Sequence, residues 1–126
     1  MKEQYIINAN IVDPGNNFQS LGGIIISNEG KIKAIGKKVT KLNIPKNAEI
    51  YDAKKNYIFP GIVDMRVFVG EPGFEYKENF NTLSNAAVSG GVTSVVSMPN
   101  TSPVIDNVSM VDFIKRRGRD KSKINI

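Results

Sequence analysis

The side chains able to do chemistry concentrate between Asp64 and Asn107 of this 126-residue sequence. Asp64, Arg66 and Phe68 alternate along the apolar run 62–69, so a strand there turns Arg66 and Phe68 to one face. If that face is an interior, Arg66 is a buried cation and needs a carboxylate partner. The simpler reading is a salt bridge to Asp64 or a later acid, with Phe68 filling the space beside it. The other is that Arg66 binds an anionic ligand or holds the site shut. Glu71 and Glu75 have the types of an acid–base pair, but Pro72 and Gly73 between them mark a turn, and both acids read as solvated. Asn100 reads as a turn or helix-capping amide. Asp64, Asp106 and Asp112 lack metal-site spacing, and Gly90-Gly91 reads as a helix terminator because no Lys-Thr pair follows to make a phosphate loop.

Histidine, cysteine and tryptophan are absent from the sequence. Ser-His-Asp, Cys-His and His-metal chemistry are therefore excluded for these residues, as are disulfides. Charge is uneven: +4 over residues 1–57, −3 over 58–110 and +4 over 111–126. The basic tail (Lys115, Arg116, Arg117, Arg119, Lys121, Lys123) reads as a solvated helix end, where cations meet the helix dipole favourably. A stand-alone nucleic-acid-binding module is the disfavoured alternative, since no aromatic residues or recognition motif accompany the charge. The N-terminus lacks a signal peptide's apolar stretch and nothing resembles a membrane span, so a cytoplasmic location without membrane contact is expected.

The elements that must position these residues fall into two regions. Residues 1–57 read as a small, mostly antiparallel β unit with one buried face and a lysine-rich face in water. Its strands are placed at 4–11, 23–27, 31–36 and 50–53, with Asn28-Glu29-Gly30 as a hairpin connection and Lys54-Lys55-Asn56 as a polar turn. Residues 58–126 alternate between the two periods. A buried strand is expected at 62–69 and a helix at 76–89 burying Tyr76, Phe80, Leu83 and Ala87. A strand at 92–98 and a loop at 99–107 follow. A second helix using Val108, Val111 and Ile114 stops near Gly118, and a third strand opens at 123–126. Strand–helix–strand–helix–strand implies a parallel α/β sheet with right-handed crossovers. An eight-stranded (β/α)8 barrel takes roughly 250 residues, so the second region amounts to its first two to three βα units and the chain reads as unfinished.

The order and spacing of four segments carry a resemblance. They are Phe59-Pro60-Gly61-Ile62-Val63-Asp64, Glu71-Pro72-Gly73-Phe74-Glu75-Tyr76-Lys77-Glu78, Gly90-Gly91-Val92-Thr93 and Met98-Pro99-Asn100-Thr101-Ser102-Pro103-Val104-Ile105-Asp106-Asn107. Across residues 59–107 the chain closely resembles the N-terminal part of dihydroorotases, within the cyclic amidohydrolase group. The resemblance implies an amidohydrolase-type TIM barrel preceded by part of a small β-sandwich. It also implies a zinc-dependent interconversion of carbamoyl aspartate and dihydroorotate in pyrimidine biosynthesis, with Asn100 as a substrate-binding residue.

The departure from the family lies in its chemical motif, Asp-x-His-x-His-x-Arg-x-Pro-Gly. Here Arg66 and Phe68 stand at the two metal-binding positions and Gly70 at the substrate-gripping arginine. A guanidinium has no lone pair to give and a phenyl ring has no ligand atom. The expectation is a non-catalytic dihydroorotase homologue without metal or cofactor in these residues, of the kind that serves as a structural partner of aspartate transcarbamoylase. The alternative is an active cyclic amidohydrolase whose complete chain holds metal through later strands.

Overall fold

Apolar and polar residues alternate from Gln4 onward, and they form strand β1, Gln4–Asp13, with Tyr5, Ile7, Ala9 and Ile11 buried. The computed structural model describes residues 2–40 and 44–126, and the chain divides into two units, Met1–Pro60 and Gly61–Ile126. In the first unit β2 (Phe18–Ile26) runs antiparallel to β1, and β3 (Ile32–Gly36) antiparallel to β2. β4 (Glu49–Asp52) and β5 (Tyr57–Ile58) both pair parallel with β1. The sheet is thus mixed: antiparallel pairing predominates, as expected, and parallel pairing is added along the other edge of β1.

A bulge makes this possible. β1 slips register against β2 between Ile6 and Ala9, and Asn8 within the slip takes a left-handed φ of 54°. Residues before the bulge pair with β4, and Asn10 and Ile11 beyond it pair with β5. The Lys55 amide closes the intervening turn on the Asn8 carbonyl at 2.6 Å. Ala9, Ile11, Ile24 and Ala53 form the core, with Ile6, Phe18, Ile26 and Ile58 packed around it. At one end, Lys33 and the Tyr5 hydroxyl donate to Glu3 (2.7 and 2.8 Å) and hold its carboxyl below the usual range.

The second unit contains β6 (Ile62–Val67), α1 (Phe80–Ser89), β7 (Val92–Ser97) and α2 (Val108–Lys121). β6 and β7 are parallel. Asn125 extends the sheet beyond β7, donating to the Thr93 carbonyl at 3.0 Å and accepting from the Val95 amide at 2.9 Å. The alternation of strand and helix is therefore as expected. Val69, Phe80 and Ile114 form the core, joined by Val67, Leu83, Ile105, Phe113 and Ile126.

Three details differ from the sequence reading. β6 was expected to be buried, yet Ile62, Val63 and Met65 are exposed. Among the described residues β6 is paired along one edge only, by β7, and only Val67 and Val69 at its end reach the helix-covered core. α1 begins at Phe80, so Tyr76 lies outside it and is exposed. On α2 the inward face is Phe113, Ile114, Arg117 and Gly118, while Val108 and Val111 are exposed. The helix runs through Gly118 to Lys121, and Gly118 is buried beside Ile126, where an added Cβ would lie 3.1 Å from the Ile126 Cβ.

The start of α1 is fixed by Asn79, whose Oδ1 accepts from the Asn81 and Thr82 amides at 3.0 Å while Thr82 Oγ1 accepts from the Asn79 amide at 3.1 Å. This reciprocal cap satisfies donors that a helix leaves unpaired. Asn79→Ala is expected to cost about 1 kcal/mol of stability. Urea denaturation checks this, and an unchanged midpoint would count against the cap.

A candidate ligand cleft at the strand ends

β6 approaches its C-terminal end through a second bulge. Asp64 pairs with Val95 and Val67 with Ser97, so three steps along β6 match two along β7. Within that slip the Arg66 amide turns back to Asp64 Oδ1 at 3.0 Å, and the ladder resumes where the Met98 amide donates to the Val67 carbonyl at 2.9 Å. Bulges of this kind re-aim side chains. Here Arg66 and Phe68 line an open cleft of about 390 Å³ together with Met98, Pro99 and Asn100. Three of the residues singled out in the sequence, Arg66, Phe68 and Asn100, thus share one concavity. Gly70 is not on its lining.

Arg66 is exposed, and its guanidinium makes no ion pair or hydrogen bond among the described residues. The expected bridge to Asp64 is not formed, because the Asp64 carboxylate is turned to the backbone amide of Arg66 instead. The Asn100 side-chain amide is likewise unengaged among the described residues. It caps neither helix, since Asn79 and Asn107 fill those places. Its loop is pinned on both sides: the Thr101 amide and the Ile105 amide donate to the Pro99 carbonyl (2.8 and 3.1 Å), and Thr101 Oγ1 donates to the Pro103 carbonyl at 2.7 Å.

Phe68 stands against Phe74, ring centroids 6.0 Å apart, and Phe74 meets Tyr76 edge-on at 6.5 Å. Lys77 Nζ lies over the Phe74 and Tyr76 rings, at 5.4 and 5.6 Å. This places a cation on the electron-rich ring faces. Behind the cluster, Gly70 is buried with φ +82°, and a Cβ there would sit 2.8 Å from the Glu78 carbonyl oxygen and 3.0 Å from that of Phe74. The backbone at this position leaves no room for an arginine.

Glu71 overturns its reading as a solvated loop residue. It is 2% exposed, with Oε1 accepting from Arg117 Nε at 2.7 Å and Oε2 accepting from the Phe80 amide at 3.1 Å. Arg117 Nη2 also contacts Oε1. One carboxylate therefore joins the loop after β6 to the start of α1 and the inner face of α2. Glu75 is exposed and accepts from the Gly73 amide at 2.9 Å; that amide, followed by its own, holds its carboxyl below the usual range. With one acid buried and ion-paired and the other in water, they are not an acid–base pair. The basic tail is divided in the same way. Arg117 serves Glu71, Arg119 pairs with Asp120 and Arg116 donates to the Asp112 carbonyl.

Zinc needs three or four nitrogen, sulfur or oxygen donors at roughly 2.0–2.3 Å. The cleft lining offers a guanidinium, a phenyl ring, a thioether, a proline and an amide, and that donor set does not fit the ion. Among the described residues no group of three or more His, Cys, Asp or Glu is placed to hold one. No helix of the described residues is long and apolar enough to cross a membrane.

A sequence model of the dihydro-orotase-like family matches residues 55–126. The chain is 39% identical over 121 residues to a dihydroorotase of Pelobacter propionicus, covering 96% of this chain and 28% of that protein. It is 39% identical over 119 residues to a dihydroorotase of Aquifex aeolicus, covering 94% and 27%. Among solved structures it superimposes on an L-hydantoinase (dihydropyrimidinase) from Arthrobacter aurescens with a TM-score of 0.81 at 22% identity, covering 98% of this chain and 26% of that one. A D-hydantoinase from a Thermus species gives a TM-score of 0.64 at 27% identity, covering 91% and 24%. These likenesses show the fold expected from the sequence, the opening portion of an amidohydrolase-type barrel with its preceding β unit. The chain spans about a quarter of the length of the relatives it matches.

Proposed function

The chain belongs to the dihydro-orotase-like family, and from that premise we propose that it forms part of a homologue that has lost zinc chemistry on its first barrel strand. Its substrate lineage is the carbamoyl aspartate–dihydroorotate pair, and its role is non-catalytic, as a structural partner of aspartate transcarbamoylase. The observation that carries this reading is the lining of the cleft. Arg66 and Phe68, neither able to ligate a metal, occupy the strand end beside Asn100, and the third altered position, Gly70, is built into a turn with no space for a larger side chain. Zinc-dependent hydrolysis works by acidifying bound water and polarising a carbonyl. Neither effect is within reach of an arginine and a phenylalanine.

The test is made on the purified native gene product. Metal analysis is expected to find zinc well below one ion per chain. Carbamoyl aspartate cyclisation is expected to stay at the uncatalysed rate and to be indifferent to chelator, and mixing with aspartate transcarbamoylase from the same source is expected to give a co-eluting complex. Stoichiometric zinc with chelator-sensitive cyclisation would overturn the reading in favour of an active cyclic amidohydrolase using ligands elsewhere. Failure to co-elute would remove the structural partnership alone.

A further inference from the structure

We infer that the cleft between β6 and β7 is a metal-independent carboxylate-binding site in which Arg66 supplies the charge and Asn100 a neutral hydrogen-bonding group. The inference deepens the reading above by naming the ligand class, and it rests on three features of the cleft itself. First, the Asp64 carboxylate accepts from the Arg66 backbone amide within the β6 bulge, and the nearest acid in sequence makes no ion pair with the guanidinium. Second, no acidic residue is among the five that line the cleft, and the guanidinium and the Asn100 amide are both unengaged among the described residues. Third, the rest of the lining is apolar: Phe68, Met98 and Pro99.

A guanidinium is planar, permanently charged and matched in shape to a carboxylate, which it grips with two parallel N–H donors. An amide beside it adds one donor and one acceptor. The apolar wall suits the body of the ligand, and Phe68 packs against Phe74. The ligand that fits is a small monocarboxylate with a flat or compact body. Nothing in this arrangement depends on a metal ion, so binding persists in chelator.

Calorimetric titration of the native gene product in chelator tests the proposal with three probes: dihydroorotate, benzoate, and dihydrouracil, which lacks the carboxylate. The carboxylates are expected to bind and dihydrouracil not to. A charge-assisted bond is worth roughly 1.5–3 kcal/mol, so Arg66→Gln should weaken carboxylate binding about 10- to 100-fold. Arg66→Lys should recover part of it, since the charge remains and the fork is lost. Arg66 is exposed, so both variants should fold, and matching unfolding midpoints confirm it. Benzoate binding that needs Arg66, without dihydroorotate binding, would uphold the inference and sink the substrate lineage. Dihydroorotate binding unchanged in Arg66→Gln would do the reverse. Equal affinity for dihydrouracil, or no carboxylate binding at all, would overturn the inference.

Discussion

Glu71→Ala should destabilise the second unit by about 3 kcal/mol, the lower end of the cost of breaking a buried, hydrogen-bonded ion pair, because only the Glu71 side of this pair is buried. The size follows from what the carboxylate serves. The first amides of α1 have no partner within the helix. Asn79 and Thr82 satisfy three of them between themselves, and the fourth, that of Phe80, goes to Glu71 Oε2. Loss of the side chain strands this amide at a residue with no solvent exposure, and it leaves the Arg117 guanidinium without its anion. A negative charge at a helix N-terminus also meets the dipole favourably. Arg117 is nearer the surface, so water offsets part of its loss, and Arg117→Ala should cost less than Glu71→Ala. The double variant should fall short of additivity by about 0.5–3 kcal/mol if the two act as a pair. Urea unfolding of the four proteins measures all of this, and a Glu71→Ala midpoint within experimental scatter of wild type would show that the pair carries no stability.

Gly73→Ala should cost about 2–3 kcal/mol, for two separable reasons. Gly73 holds φ +97°, a conformation that charges an L-residue roughly 1–2 kcal/mol. A Cβ there would also collide with the Ser102 carbonyl oxygen and side chain, so the two loops must move apart. They are joined where the Ser102 amide donates to the Pro72 carbonyl at 3.1 Å, two residues from Asn100. The substitution should therefore release hydrogen-exchange protection at the Ser102 amide and loosen the Asn100 wall of the cleft. Gly90→Ala is the control: φ is −91° and the nearest atom to an added Cβ is 3.6 Å away, so it should not destabilise and should gain up to about 1 kcal/mol. Ser102 protection retained in Gly73→Ala would show that the loops are not held together at this point.

How much of this was legible in the sequence depended on whether the deciding force was local. The strand–helix alternation of residues 62–126 follows from hydrophobic period, and Arg66 and Phe68 line one cleft as a two-residue repeat suggests, although Phe68 lies beyond β6 and the bulge at 64–67 intervenes. Asn100 could be placed at the strand end because Met98-Pro99 closes β7 there. What the sequence could not disclose were long-range pairings. Glu71 lies 46 residues from Arg117, and nothing near either one announces the other. The parallel pairing of β4 and β5 with β1 depends on a bulge at Asn8, a residue whose type permits a left-handed turn without demanding it. The exposure of β6 is a matter of what pairs its edges, which hydropathy does not report. The inward face of α2 was misplaced because Arg117 and Gly118 share it with Phe113 and Ile114, and neither would be chosen as a core residue by type.

The bulged β1 strand has a consequence for the order of events during synthesis. Among the described strands of its sheet, β1 leaves the ribosome first. Its antiparallel neighbour β2 follows within a few residues, but the parallel partner of Gln4, Glu49, is made 45 residues later. At about 5–20 residues per second this leaves one edge of the central strand unpaired for roughly 2–9 seconds. An open edge recruits other strands, its own kind included. The window closes when β4 and β5 arrive on either side of the turn at Lys54 and Lys55, so the length of chain between Gln4 and Glu49 sets how long a nascent molecule stays vulnerable to its neighbours.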